Sequence, residues 1–137
     1  MEFKNYFDST EAQLAMFIKM AKSDGEINQA EMIFLQLLAH RLKISGADFK
    51  NILKNCDNYE YIPPVNQKER FITLYVLIQM MKVDLSMKNE EIAFCLEISN
   101  RLYIDENKMI DILELSKKQE KKVVGYEEIE KILLSVS

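Results

Sequence analysis

Apolar residues recur along this chain at helical spacing. Leu14, Phe17, Ile18 and Ala21 fall three, four and seven residues from the first of them, which is one stripe of a helix. Thr10 to Gln13, "TEAQ", reads as a capping box that starts this helix. Asn28 followed by Glu31 reads as a second box, ahead of a helix whose Leu35, Leu38 and Leu42 face inward. Phe34 and Leu37 widen that stripe, so the second helix is expected to be covered on more than one side. Ser45 and Asp48 open a third helix with Phe49, Ile52, Leu53 and Cys56 on its apolar face.

The segment "DNYEYIPPVN", residues 57–66, interrupts the pattern. Its tandem prolines cannot continue a helix and push the residue before them toward extended backbone. Asn66 and Glu69 then cap a fourth helix bearing Phe71, Leu74, Tyr75, Ile78 and Met81. A fifth begins near Asn89, and a sixth carries Met109, Ile112 and Leu113. Gly125 breaks the chain before a last helix with Ile129, Ile132, Leu133 and Val136 on one face. The expectation is all-α, a single-domain bundle of about seven helices.

Laying residues 18–44 over 78–104, an offset of sixty without gaps, pairs identical residues at nine positions: Ile18/Ile78, Met20/Met80, Lys22/Lys82, Asp24/Asp84, Glu31/Glu91, Phe34/Phe94, Arg41/Arg101, Leu42/Leu102 and Ile44/Ile104. Two tandem copies of a three-helix unit account for this match. The first spans about 10–56 and the second about 67–118, with 57–66 as linker and a C-terminal helix at about 126–136. A two-copy duplication is expected to share one core, since an open solenoid needs three or more repeats.

Composition narrows the function classes. The chain has 137 residues, 48% hydrophobic and 29% charged, with only 3 Gly and 2 Pro, which suits a soluble helical domain and not a turn-rich β fold. No apolar run approaches the roughly 18 residues that a membrane span needs. The start of the chain lacks the layout of a signal peptide, so a cytoplasmic location is expected. A net charge of −4 argues against nucleic acid as partner. The basic cluster "KKQEKK", Lys117 to Lys122, reads as a solvated helix C-terminus; contact with an anionic membrane surface or an acidic partner is the alternative.

Little points to catalysis. His40 is the single histidine and aligns with Asn100, an ordinary polar position near a helix end. Cys56 and Cys95 read as buried helix-face residues and the methionines as core filling. No glycine-rich phosphate loop is present, and no enzymatic activity is expected.

The chemistry that stands out is "KSDGEINQAE", Lys22 to Glu31. Numbered as an EF-hand loop with Asp24 fifth, Gly25, Ile27 and Glu31 take suitable places, but the first and third positions are Met20 and Lys22, which supply no oxygen. The second copy has Leu85 at the glycine position and Lys88 where a further donor belongs. A working EF-hand is not expected on that ground. The Lys-x-Asp-Gly segment with a glutamate in the next helix, Lys22, Asp24, Gly25 and Glu31, instead resembles the TerB-like family, the tellurite-resistance domain also found in certain membrane-anchored DnaJ-type co-chaperones. The second copy keeps Lys82, Asp84 and Glu91 and departs at Leu85. The resemblance covers about Thr10 to Ser116. It implies a seven-helix bundle, a non-enzymatic role in tellurite resistance or related stress functions, and a divalent cation held by acidic residues, here Asp24, Glu31, Asp84 and Glu91. Calcium or magnesium would suit these carboxylates better than zinc, because no nitrogen or thiolate donor lies in the motif.

Two other readings stand beside it. The acidic residues serve as caps, with Glu31 reaching the backbone of Asn28, Asp24 closing an Asx-turn and Lys22 and Lys82 complementing the dipole of their own last turn. Alternatively, the chain is a metal-free module for an unidentified protein partner. Its contact patch would be Tyr59, Tyr61 and Ile62 in the inter-repeat loop, unless that loop packs down over the helices.

Overall fold

A computed structural model describes residues 4–23, 25–83, 87–119 and 124–135, with side chains from Thr10 onward. The described residues form seven α-helices, one 3₁₀ turn and no strand: α1 Lys4–Ala21, α2 Gln29–Arg41, α3 Gly46–Lys54, the turn Cys56–Asn58, α4 Gln67–Met81, α5 Asn89–Arg101, α6 Glu106–Lys118 and α7 Tyr126–Leu133. The chain is all-α. No described helix is long and apolar enough to cross a membrane.

The chain divides into two compact units, Met1–Ile62 and Pro63–Ser137, with the boundary at the first of the tandem prolines. In the first unit α1 packs against α2, α3 and the 3₁₀ turn. In the second, α4 packs on α5 and α7, and α6 on the same two helices.

Burial on α1 exceeds the expected stripe. Leu14, Ala15, Met16, Phe17, Ile18, Met20 and Ala21 are all buried, so from Leu14 to Ala21 only Lys19 is half-buried. Its start also differs from the expectation. Thr10 lies well inside α1 and is not its cap, because the residues upstream continue the helix. The other caps are as read from the sequence. Asn28 Oδ1 accepts from Glu31 N at 2.8 Å, Ser45 Oγ from Asp48 N at 3.1 Å, and Asn66 Oδ1 from Glu69 N at 3.2 Å.

Element ends coincide at the offset of sixty. α1 and α4 end at Ala21 and Met81, α2 and α5 have matching bounds, and α3 and α6 both begin one residue after their caps, Ser45 and Asp105. The correspondence reaches backbone conformation. Lys43 and Tyr103 have positive φ, 61° and 59°. Each follows a helix in the same hydrogen-bond pattern: Ile44 N donates to Ala39 O and Lys43 N to His40 O, while Ile104 N donates to Ser99 O and Tyr103 N to Asn100 O. These are Schellman closures, which place a left-handed residue just past the helix cap.

The inter-repeat loop packs down. Tyr61 is buried, Tyr59 is half-buried, and Lys19 Nζ donates to Tyr59 O at 2.7 Å. Of the three residues read as a contact patch, only Ile62 is exposed. Within the second unit, Arg70 Nε donates to Pro64 O at 2.6 Å and its guanidinium lies 4.8 Å from the centre of the Tyr103 ring. The last helix is fixed inside the second unit. Tyr126 meets Tyr75 edge to face with ring centres 5.7 Å apart, and Lys108 Nζ closes the end of α7 on Leu133 O and Ser135 O at 3.0 and 2.6 Å. Val136 lies outside the described residues.

Candidate functional site

The described motif residues flank the connections from α1 to α2 and from α4 to α5. In the first turn, Lys22 N donates to Ile18 O, Ser23 N to Met20 O and Gly25 N to Lys22 O, so the chain leaves α1 in a tight bend. Gly25 has φ +116°, a backbone state that L side chains avoid. This is why a glycine stands there. Asp24, Asp84 and Leu85 lie outside the described residues.

Glu31 is 1% exposed and completes the box that starts α2, its Oε1 accepting from Asn28 N at 3.0 Å. Glu91 is equally buried, and its Oε1 accepts from Lys88 N at 3.4 Å, a longer bond. The difference follows from the residue at the cap. Asn28 has a side-chain oxygen to return the bond; Lys88 has none, so α5 lacks the reciprocal half of the box. Both carboxylates sit at a helix N-terminus, where the dipole and unpaired amides favour negative charge.

Lys22 and Lys82 act at other helices than their own. Lys22 Nζ donates to Leu53 O at 2.8 Å, at the end of α3, and lies 3.7 Å from Cys56 Sγ. Lys82, 3% exposed, donates to Ser116 O and Gln119 O at the end of α6. The expectation that each complements the dipole of its own last turn is corrected here: a lysine leaving the first helix of a unit closes the third. The carbonyls at a helix end have no intrahelical partner, and an ammonium satisfies two at once. This cross-helix reach was not legible, because the spacing from Lys22 to Leu53 has no local signature; the duplication of the lysine was the one hint.

The remaining chemistry-bearing residues stand apart from these turns. Cys56 and Cys95 are both free thiols and both buried. Burial pushes the Cys95 thiol up to about 12, so it does not ionise at neutral pH. His40 is exposed at the end of α2. Lys117 and Lys118 are exposed in the last turn of α6, while Glu120, Lys121 and Lys122 lie outside the described residues.

Among the described residues, no three His, Cys, Asp or Glu side chains are grouped as a metal ion would need. Of the four carboxylates implied as ligands, Glu31 and Glu91 are therefore the two whose geometry is known. Each engages a backbone amide through one oxygen. A carboxylate carries two, so capping through Oε1 and holding a cation through Oε2 are chemically compatible.

No family model, curated protein or solved structure matches this chain.

Proposed function

We propose that the chain is a non-enzymatic binding domain of the TerB-like kind, serving tellurite resistance or a related stress response, with a divalent cation taken up at its acidic turns. What carries the reading is the burial of a carboxylate at the same place in both units. Glu31 and Glu91 are each 1% exposed in the first turn of α2 and of α5. Burying a carboxylate is costly unless it is paired. A calcium or magnesium ion shared by Asp24 with Glu31, and by Asp84 with Glu91, would add a cation to carboxylates that already accept from the amides of Asn28 and Lys88.

Calorimetric titration with calcium and with magnesium tests the reading. Binding by the native chain that falls in an Asp24→Asn, Glu31→Gln variant, and is lost when Asp84→Asn and Glu91→Gln are added, supports it. No heat at roughly millimolar ion, the weak end for protein calcium sites, sinks it.

A second reading, a metal-free helical interaction module, is favoured by a different observation. The outer face of α2 presents Ile33 at 51% and Leu37 at 60% exposure, large apolar side chains one turn apart. Loss of partner capture on changing these residues, in a chain that binds no cation, would select it.

A further inference from the structure

The outward face of α2 has the layout of a helix-pairing seam. Ala30, Ile33, Leu37 and His40 follow the three-four-three spacing of coiled-coil core positions. Ile33, Leu37 and His40 are exposed and Ala30 is half-buried, while Glu31, Leu35 and Ala39 occupy the opposite, buried side. The expectation that this helix is covered beyond its inner stripe fails at Leu37.

The second unit provides an internal control. At the same offset, α5 presents Glu90, Ala93, Glu97 and Asn100, all exposed. A solvated face at those positions is therefore compatible with the packing of such a helix. The apolar residues on α2 belong to its own surface and are not needed to build the unit.

The charges at the two ends of α2 say what lies on the seam. Glu26 is exposed just before the helix, and Arg41 and Lys43 are exposed at its close. A parallel neighbour of the same sequence sets like charges together. An antiparallel one sets Glu26 beside Arg41 and Lys43 at both ends and opposes the helix dipoles.

We propose that α2 docks antiparallel on α2 of a second copy of this chain, about a two-fold axis at the height of Leu35. Ile33 then packs on Leu37 of the other copy, and Ala30 opposes His40, small against large. The contact is isologous, with each residue pairing twice. A seam of four residues a side falls well short of the roughly 800 Å² per partner of standard interfaces, so the dimer is weak, with a dissociation constant of roughly tens to hundreds of micromolar. The proposal stands on the exposed face and the charges at its two ends, and is independent of the cation reading.

Sedimentation velocity of the full chain across a concentration series spanning that range tests it, with circular dichroism confirming that each variant keeps its helices. The native chain shifts from monomer to dimer, less so at high salt. Leu37→Glu weakens the dimer by about tenfold or more, by burying a charge opposite Ile33. Glu26→Lys weakens it, and adding Arg41→Glu and Lys43→Glu to the same chain restores it, because both cations that face Glu26 are then reversed. A native chain that stays monomeric throughout overturns the proposal, as does a dimer indifferent to Leu37→Glu. Failure of the paired charge reversal to restore association overturns the antiparallel arrangement.

Discussion

Replacing Lys82 by Met separates a buried helix closure from an exposed one. The ammonium of Lys82 is 3% exposed and donates to two carbonyls at the end of α6, Ser116 O and Gln119 O. Met keeps most of the stem volume and removes both donors. A hydrogen bond to a charged group contributes about 1.5–3 kcal/mol, and a buried acceptor left unsatisfied costs about 1–3 kcal/mol. Two bonds lost sum to about 3–6 kcal/mol. Returning a buried ammonium to water in the reference state offsets part of that, since burying the charge was itself unfavourable. Gln119 is half-buried, so water replaces the lost donor there, whereas Ser116 is fully buried and its carbonyl stays dry. The net cost expected is about 3 kcal/mol. Lys22 is the equivalent residue, but it is exposed and its bond to Leu53 O is within reach of solvent. Lys22→Met is expected to cost about 1 kcal/mol or less. Urea unfolding of the two variants, at unchanged slope, measures the difference directly. Equal and small costs for both would refute the assignment of Lys82 as a buried closure of α6.

Three further tests address other parts of the molecule. Lys43→Gly is expected to stabilise by about 1 kcal/mol, because its φ of 61° is strained for any residue with a Cβ; Tyr103→Gly relieves the same strain but loses the Arg70 contact, so thermal melting should show a smaller gain or none. Glu31→Ala removes the return bond to Asn28 N and should cost about 1–2 kcal/mol, whereas Glu31→Gln keeps an acceptor there and should cost less; equal losses in denaturant unfolding would mean that charge, not capping, is what matters. Cys95 ionises near 9.0 when unfolded and about 12 when folded, so above pH 9 the unfolded state binds fewer protons and stability falls as pH rises toward 12. The native chain should lose up to about 1.4 kcal/mol per pH unit more than Cys95→Ala across that window, measured by unfolding at each pH.

The helices and most of their starts were legible, because amphipathic spacing and side-chain caps are local. Asn28, Ser45 and Asn66 needed only their own side chain and an amide three residues on. Thr10 misled for the same reason. A box-like "TEAQ" inside a sequence that goes on forming helix upstream does not terminate it, and α1 begins at Lys4. The exposed Leu37 ran against the reading of its segment, whereas the buried Tyr61 follows the packed-down alternative left open for its loop. Side-chain type says that a residue prefers burial, whereas its fate depends on which elements arrive beside it. The lysine closures on α3, α6 and α7 were illegible on the same principle, since each joins residues more than twenty positions apart.

The two units thus keep one framework and differ where the framework leaves freedom. Both retain the lysine that closes the third helix, the left-handed residue that ends the second and the buried glutamate that begins it. Each of these satisfies a backbone group that a helix end would otherwise leave unpaired, so replacing it weakens the unit whatever the chain does. The caps are free to vary in strength, and α5 makes do with Lys88 in place of Asn28. Outward positions carry no such constraint. There α5 has turned acidic and solvated, while α2 holds isoleucine and leucine against water. Closing helix ends is a role these shared residues have in both units, with or without a cation at the glutamates. The exposed seam has no part in capping, and a contact outside its own unit is the reason for it that self-association measures directly.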